Sequence, residues 1–543
     1  MLAAAAIGGS AAPSDGATPA TRPNVVVVMS DDQTVESMRV MSNVNALIGR
    51  EGVAFANSFA SFPLCCPSRA TYVTGQYGHN HTVMGNAPPQ GGYEKLAPTH
   101  ANTLPAWLRS AGYHTVHIGK YLNGYGRLRP TEVPAGWAEW YGSVDPSTYQ
   151  FYNYTLNENG RLVRYGSTPQ EYQADVYTAK AVDAVRRLAP QQQPFFLSVA
   201  YLAPHSGGPR EAGDPRNQAT PVPAPRHRDR FASEPMPVDP SFNEADVSDK
   251  PAAVRRRPLQ RAPRIAGITE NYRQRLESLL AVDEGVASIV RALAEAGELD
   301  NTVFLYTADN GFFHGEHRVP AGKVMAYEPS ARVPLLMRGP GVPKNVTITQ
   351  PVVNVDLAAT VLDAADARAG RVLDGFSLLA MSRDRTRFLG RDVLLETSNY
   401  SAIHTPRYVY VEHGAGDREL YDLSTDRYQL SSKHADAALA AVRTRLAARL
   451  AQLRRCVGAA CRRGPALALS SRCVGRAHRL GLGGGDAAQV TRVDWMYQGR
   501  SAGADRRRPF QATLPRAAGL VRAIATLADG RRASVDRRVA ACR

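Results

Sequence analysis

Apolar residues run along this chain in two rhythms. Val25, Val26, Val27, Val28 and Met29 are consecutive and mostly β-branched, the mark of a strand buried on both faces, as in a parallel sheet. Ala111 to Asn123, Phe195 to Tyr201 and Asn301 to Ala308 carry three more strand patterns. Between them the spacing turns helical. Gln170 to Leu188 is one such stretch, and Thr269 to Gly297 is the stronger. There Leu276, Leu279, Leu280, Val286, Ile289, Val290 and Leu293 fall three or four apart along one face. This pattern predicts an open α/β sheet. Gly207 to Pro263 interrupts it with a Pro- and Arg-rich, weakly periodic stretch, read as an irregular surface insertion. Glu419 to Leu423 reads as a strand, and Asp436 to Arg455 as a helix with Asp436 at its N-cap.

Polar residues at the strand ends carry the chemistry. Ser30-Asp31-Asp32-Gln33 follows the first apolar run, and open α/β sheets bind ligands at that end of their strands. A helix N-cap would account for one Asp but not both. Two adjacent carboxylates there are costly without a cation, and paired hard oxygens suit Ca²⁺ or Mg²⁺. Asp309-Asn310-Gly311 follows the last run in the same way, although that tripeptide alone is a common turn.

The stretch from Pro63 to Gly75 is polar, with no breaker between Pro67 and Gly75. It predicts a short helix starting near Pro67. Cys65 then lies at the helix N-terminus, where free N–H groups favour an anion, and Arg69 can face the same anion with its planar fork. Two adjacent cysteines can also be plain packing or a disulfide, but packing has no need of the Pro, Ser and Arg spacing.

Cys65-Cys66-Pro67-Ser68-Arg69-Ala70-Thr71-Tyr72-Val73-Thr74-Gly75 resembles the sulfatase signature C-x-P-S-R-x-x-x-[LV]-T-G at every fixed position. The resemblance covers roughly residues 23 to 455. It implies an alkaline phosphatase-like α/β fold: a mixed sheet sandwiched by helices over 23–375, and a small α+β subdomain over 376–455. It implies that Cys65 becomes formylglycine, installed by a formylglycine-generating enzyme, with Cys66 in the variable position. Asp31, Asp32, Asp309, Asn310 and the modified Cys65 would hold Ca²⁺, or Mg²⁺. Arg69, Lys120 (in Gly119-Lys120) and Lys323 (in Gly322-Lys323) would offset charge on the sulfuryl oxygens. His205, in Leu202-Ala203-Pro204-His205, or Lys323 would protonate the leaving alcohol. A hydrated aldehyde attacks sulfur with one hydroxyl and expels sulfate by elimination through the other. Many sulfatases carry a histidine two residues after the first lysine. Leu122 stands there, which leaves His79 and His81 as spare candidates.

Lys120-Tyr121-Leu122-Asn123, the Cys65-Cys66 doublet and Asn80-His81 look most like the N-acetylglucosamine-6-sulfatases. The implied substrate is a sulfated sugar, with an aryl sulfate as the generic alternative. A phosphonate or phosphate monoester hydrolase is the competing enzyme reading, and a non-catalytic polyanion-binding protein the remote one.

Charge and cysteine content alter the picture mainly at the C-terminal end. Of a formal net charge of +16 on 543 residues, Arg454 to Arg543 holds +14, from 19 Arg and 5 Asp without Lys or Glu. The catalytic part is close to neutral. The tail alternates over Gln489 to Tyr497 and Gly519 to Leu527, with Asp529-Gly530 as a hairpin turn. It resembles a small Ig-like β module over 470–543, whose basic surface suits polyanions or is merely a solvated face. Cys456, Cys461, Cys473 and Cys542 allow three pairings. Pairing Cys456 with Cys461 and Cys473 with Cys542 is the simplest, and disulfides imply an oxidising compartment. Residues 1–22, rich in small residues, read as a leader or signal remnant. No run of eighteen apolar residues exists, so no membrane span is expected. A secreted, periplasmic or cell-surface protein is the expectation.

Overall fold

The structure, a computed structural model, describes residues 22–528 and 530–542. The leader up to residue 21 and Asp529 lie outside the described residues. Ten strands form the main sheet: β1 (Asn24–Ser30), β2 (Val53–Phe55), β3 (His114–Gly119), β4 (Glu139–Ser143), β5 (Thr155–Glu158), β6 (Arg161–Arg164), β7 (Phe195–Ala200), β8 (Thr302–Ala308), β9 (Leu335–Arg338) and β10 (Val346–Ile348). Their spatial order is β10-β2-β9-β8-β1-β7-β3-β4-β5-β6. The central run from β8 to β4 is parallel, while β9, β5 and β6 run antiparallel to their neighbours in that order.

β1 shows why its valine run is continuous. Val25, Val27 and Met29 belong to one hydrophobic core and Val26 and Val28 to another, because alternate side chains face opposite sides of a sheet. Helices α1 (Cys65–Thr74) and α4 (Val355–Ala364) supply Ala70, Val73, Leu357 and Val361 to the first core. Helices α2 (Gln173–Leu188) and α3 (Ala262–Glu295) supply Val185, Leu279, Val286 and Ile289 to the second.

α3 starts seven residues before the expected Thr269. Pro263 occupies its first turn, where a missing N–H costs nothing. The stretch before it is irregular as expected, with only the short helical pieces Pro225–His227 and Ala252–Arg255. It is not wholly a surface feature: Val222, Ala224, Val247 and Val254 are buried and Lys250 is fully covered. Scattered single apolar residues anchor it, which periodicity does not reveal.

A second sheet, β11 (Val393–Glu396), β12 (Tyr400–His404), β13 (Tyr408–His413) and β14 (Arg418–Asp422), packs against α5 (Ala440–Leu453) through Leu446, Leu450 and Leu453. Asp436 accepts from Ala438 N at 2.8 Å ahead of α5. The terminal module is a pair of sheets of three and four strands around Trp495, Val493, Leu480 and Val521. Gly519–Leu527 and Arg532–Val539 pair antiparallel across the Asp529-Gly530 position. Cys456 bonds Cys461, and Cys473 bonds Cys542. Among the described residues no helix is long and apolar enough to cross a membrane.

Candidate active site

The register of the sheet brings the polar segments together. Ser30 pairs with Ala308, Met29 with Ala200, and Ala200 with Gly119. Four parallel strands therefore end nearly level, and each releases a site residue: Asp31 and Asp32 after β1, Asp309 and Asn310 after β8, Lys120 after β3, and His205 just past β7. Gly119 makes its exit possible. It takes φ +100, and a Cβ there would stand 2.1 Å from Ala200 O, so only glycine allows the turn that delivers Lys120.

α1 brings the remaining groups. It begins at Cys65, two residues before the expected start, because Pro67 is tolerated anywhere in the first turn. Its N-cap residue Leu64 offers no side-chain bond. Asn86 Oδ1 accepts from Cys66 N at 3.0 Å instead, satisfying one of the helix's free donors. Gly75, at φ +65, ends the helix. Cys65 Sγ lies 3.4 Å from Asp31 Oδ1 and 3.0 Å from Lys323 Nζ. Arg69, one turn on, donates from Nε to Asp309 Oδ2 at 2.8 Å and from Nη1 to Lys120 O at 2.7 Å. Its Nη2 stands 3.4 Å from Asp31 Oδ2 without a hydrogen-bond partner. Lys120 clasps Asp31, and Lys323 clasps Asp32.

Asp31, Asp32 and Asp309 are at most 2% exposed. Buried carboxylates need compensation, and four cations supply it: Arg69, Lys120, Lys323 and Arg275, which donates to Asp32 O. Burial pushes the Asp31 carboxyl up, but Lys120, His205 and Arg69 outweigh it and hold it at about 2. Asp32 is likewise held at about 2, by Lys323 and His205 against burial. The Cys65 thiol goes the other way. Burial, then Asp31, pushes it up to about 12, so it is a thiol and not a thiolate at neutral pH. Burial lowers His205, whose Nδ1 faces Ser206 O at 2.6 Å and whose Nε2 lies 3.7 Å from Asp32 Oδ2.

The donor set fits a hard cation. Ligand atoms of Asp31, Asp32, Cys65 and His205 all lie within 4.8 Å of one another. Asp32 N donates to Asp309 Oδ1 at 3.1 Å, and Asn310 Nδ2 to Asp32 Oδ1 at 2.7 Å. Asn310 Oδ1 is buried and without a hydrogen-bond partner, an acceptor that oxygen coordination would satisfy.

All the motif residues thus converge, but the two spare histidines do not join them. His81 is buried with Nε2 3.0 Å from Thr71 Oγ1, and His79 pairs with Glu396 at 2.9 Å. Two residues in the site carried no motif. Arg275 lies four residues before Leu279, in line with Val282 and Val286 on α3, and is 3% exposed; a charge at a stripe position was its only signal. Tyr149 places its ring 4.7 Å from Lys120 Nζ and 5.1 Å from the His205 ring, and its hydroxyl accepts from Asn123 Nδ2 at 2.5 Å. Nothing in the local pattern marks it.

This is an alkaline phosphatase-like α/β fold with its polar site on the C-terminal edge of the sheet, and similarity to known proteins narrows the class. The family model described as Sulfatase matches residues 23–367. That for the C-terminal part of N-sulphoglucosamine sulphohydrolase matches residues 315–456. An arylsulfatase of Volvox carteri is 35% identical over 498 residues, covering 81% of this chain and 76% of its own. N-acetylglucosamine-6-sulfatase of Homo sapiens is 36% identical over 391 residues, covering 69% and 67%. A solved structure described as a complex with its substrate D-glucosamine-2-N,6-O-disulfate superposes with a TM-score of 0.66 at 23% identity, covering 80% of this chain and 98% of that one. The chain belongs to the sulfatase family and is a sulfuric ester hydrolase.

Proposed function

We propose that this sulfatase hydrolyses the 6-O-sulfate of N-acetylglucosamine or a related sulfated glycan, with formylglycine made from Cys65 and one divalent cation. The observation that carries this reading is the place of Cys65. Its sulfur stands between Lys323 and Asp31, at the head of α1, amid groups that could bind a sulfuryl group and a cation together.

Asp31, Asp32, Asp309 and Asn310 would hold the cation, Ca²⁺ or Mg²⁺, with His205 near enough to assist. The cation would lower the pKa of the attacking hydroxyl and neutralise developing charge. The hydrated aldehyde would supply one hydroxyl that attacks sulfur, expelling the alcohol, and a second whose loss of a proton re-forms the aldehyde as the carbon–oxygen bond to sulfate breaks. Arg69, with Nη2 unpartnered, and the ammonium groups of Lys120 and Lys323 would face the sulfuryl oxygens, where charge grows in the transition state. Lys323, 3.0 Å from Cys65 Sγ, or His205 would donate the proton to the leaving alcohol. His205, held through Nδ1 by Ser206 O, would orient the leaving oxygen.

The sugar reading rests on relatives named N-acetylglucosamine-6-sulfatase and on the mouth of the site. Asn123 carries a buried Oδ1 without a hydrogen-bond partner beside Tyr149. A sugar hydroxyl would satisfy it, and a site built for such bonds rejects substrates lacking them. Relatives named as extracellular sulfatases and the two disulfides support export.

The test compares kcat/KM for N-acetylglucosamine-6-sulfate, nitrocatechol sulfate and a phosphate monoester. A preference for the sugar sulfate is expected. Turnover of the aryl ester with the sugar untouched reduces the reading to a generic arylsulfatase, and a preference for phosphate overturns it. The Cys65 peptide should be about 18 Da lighter than its sequence mass when the aldehyde is unhydrated.

A further inference from the structure

A cleft of 1130 Å³ separates α5 and the loop that follows it from the terminal module. It is larger than the roughly 300–1,000 Å³ of ordinary small-molecule sites. Six arginines line it: Arg387, Arg445, Arg449, Arg462, Arg463 and Arg531. None of the catalytic cluster does.

Three carboxylates share the cleft, and each is already engaged. Asp392 meets Arg449 and Arg531 at 3.1 Å. Asp486 accepts from Ala466 N at 2.7 Å and from Gln489 at 2.9 Å. Asp536 meets Arg522 at 2.7 Å. Arg387 and Arg463 are exposed and have no carboxylate partner among the described residues. Arg462 donates from Nη2 to Leu373 O at 3.1 Å, and its buried Nε has no hydrogen-bond partner. Among the described residues, Arg387, Arg462 and Arg463 therefore give the cleft positive charge that its three carboxylates do not balance.

Its walls are fixed. The Cys456–Cys461 disulfide ties down the start of the lining loop. Arg522 reaches from the module to Asp384 and to Thr386, at 2.6 Å, on the body of the protein. A concave, preformed, positively charged wall focuses potential more than the same charges on a convex surface. Guanidinium forks suit sulfate oxygens. Phe388, over which Arg387 lies at 5.1 Å, gives apolar surface between them.

We propose that this cleft is a second binding site, for a sulfated oligosaccharide chain, which tethers polymeric substrate while a sulfate is removed elsewhere. The inference rests on the sulfated-glycan reading of the catalytic site, and its test separates the two. Full-length protein carrying Cys65→Ala is titrated with a fluorescent heparin-derived octasaccharide at about 0.15 M salt, where exposed charges are screened beyond about 8 Å. Arg387→Glu/Arg463→Glu should weaken binding about tenfold or more, and Arg506→Glu/Arg507→Glu on an exposed turn of the module by less than about twofold. Equal losses from both pairs mean a diffuse basic surface and overturn the proposal, as does no loss from the first pair. A desulfated octasaccharide that binds equally overturns it too. So does displacement by inorganic sulfate at matched sulfate concentration, which marks a single-anion site. In the protein that retains Cys65, the Arg387→Glu/Arg463→Glu pair should turn over nitrocatechol sulfate at the wild-type rate, showing an intact fold. Failure of the wild-type protein to turn over any sulfate ester defeats the catalytic reading without touching the binding result.

Discussion

At the edge of the main sheet, Asp31, Asp32 and Asp309 are almost wholly buried, and each meets a cationic side chain directly. In the terminal module most of the arginines are exposed, Arg506 and Arg507 among them. Both regions are rich in charge, but the physics differs. In the first, each charge is affordable only because a partner stands beside it, so every removal orphans another group. In the second, solvent screens each charge, and only their sum acts on a partner. The first arrangement holds a reacting group in one geometry, and the second can do no more than attract.

The largest effect that distinguishes the two regions is on turnover. Cys65→Ala should lower kcat by at least about 10⁴-fold, the scale seen when a nucleophile is removed. Cys66→Ala should stay within about tenfold, since that side chain belongs to the hydrophobic core and makes no bond to the cluster. Steady-state assays of both variants decide it, and the reverse pattern would sink the assignment of Cys65.

Stability comes next. Lys120→Met removes the ammonium that clasps Asp31 and leaves a buried carboxylate short of charge. A loss of about 3–5 kcal/mol is expected from urea unfolding. Asp31→Asn in the same chain should restore part of it, because the orphaned charge is then gone. A Lys120→Met protein as stable as the wild type would show that the carboxylate finds another partner.

Acid should separate the regions further. Burial holds His81 and His117 down at about 3, with Arg371 and Arg69 respectively adding to it, and His100 at about 4. An unfolded histidine takes its proton near pH 6.5. Between pH 6.5 and about 3–4 the unfolded state therefore binds more protons. The stability these residues contribute is complete above pH 6.5 and is lost as pH falls. Each approaches about 1.4 kcal/mol per pH unit in that window. All three lie in the body, so calorimetry at pH 7, 5.5 and 4.5 should show its transition falling. A body transition independent of pH in this range contradicts the assignment of these histidines as buried and neutral.

Much of the site was legible because its residues sit where backbone geometry leaves a mark. A short, continuous, β-branched valine run favours a strand covered on both faces, and the polar residues that end it then lie at the sheet edge. The Cys65-to-Gly75 signature, Gly119-Lys120 and Asp309-Asn310 are read the same way. Arg275 and Tyr149 were not legible. Arg275 reaches the site from the middle of α3, whose pattern announces a helix and hides one exception on its stripe. Tyr149 ends a three-residue 3-10 turn, Ser147–Tyr149, between β4 and β5, and its contacts with Lys120 and His205 are fixed only by the folded chain. The cleft beside the module was invisible for the same reason: a surplus of arginine is a composition, whereas a concave wall is a product of packing.

The smallest expected effect tests the other half of the comparison. Arg506 and Arg507 are exposed in the turn after a strand of the module, and among the described residues no side-chain hydrogen bond or ion pair holds either one. The turn is shaped by the Asp505 carboxylate, which accepts from Arg507 N at 2.9 Å and from Gln511 N at 3.0 Å. These bonds use the backbone, so replacing the arginine side chains leaves them in place. Arg506→Glu/Arg507→Glu should therefore shift unfolding by no more than about 0.5 kcal/mol, in contrast to the single change at Lys120. Retention of the whole chain on immobilised heparin should fall slightly, in proportion to the charge removed. A stability loss of about 2 kcal/mol or more would mean that these arginines hold the module together, and the contrast between compensated and solvated charge would fail at its solvated end.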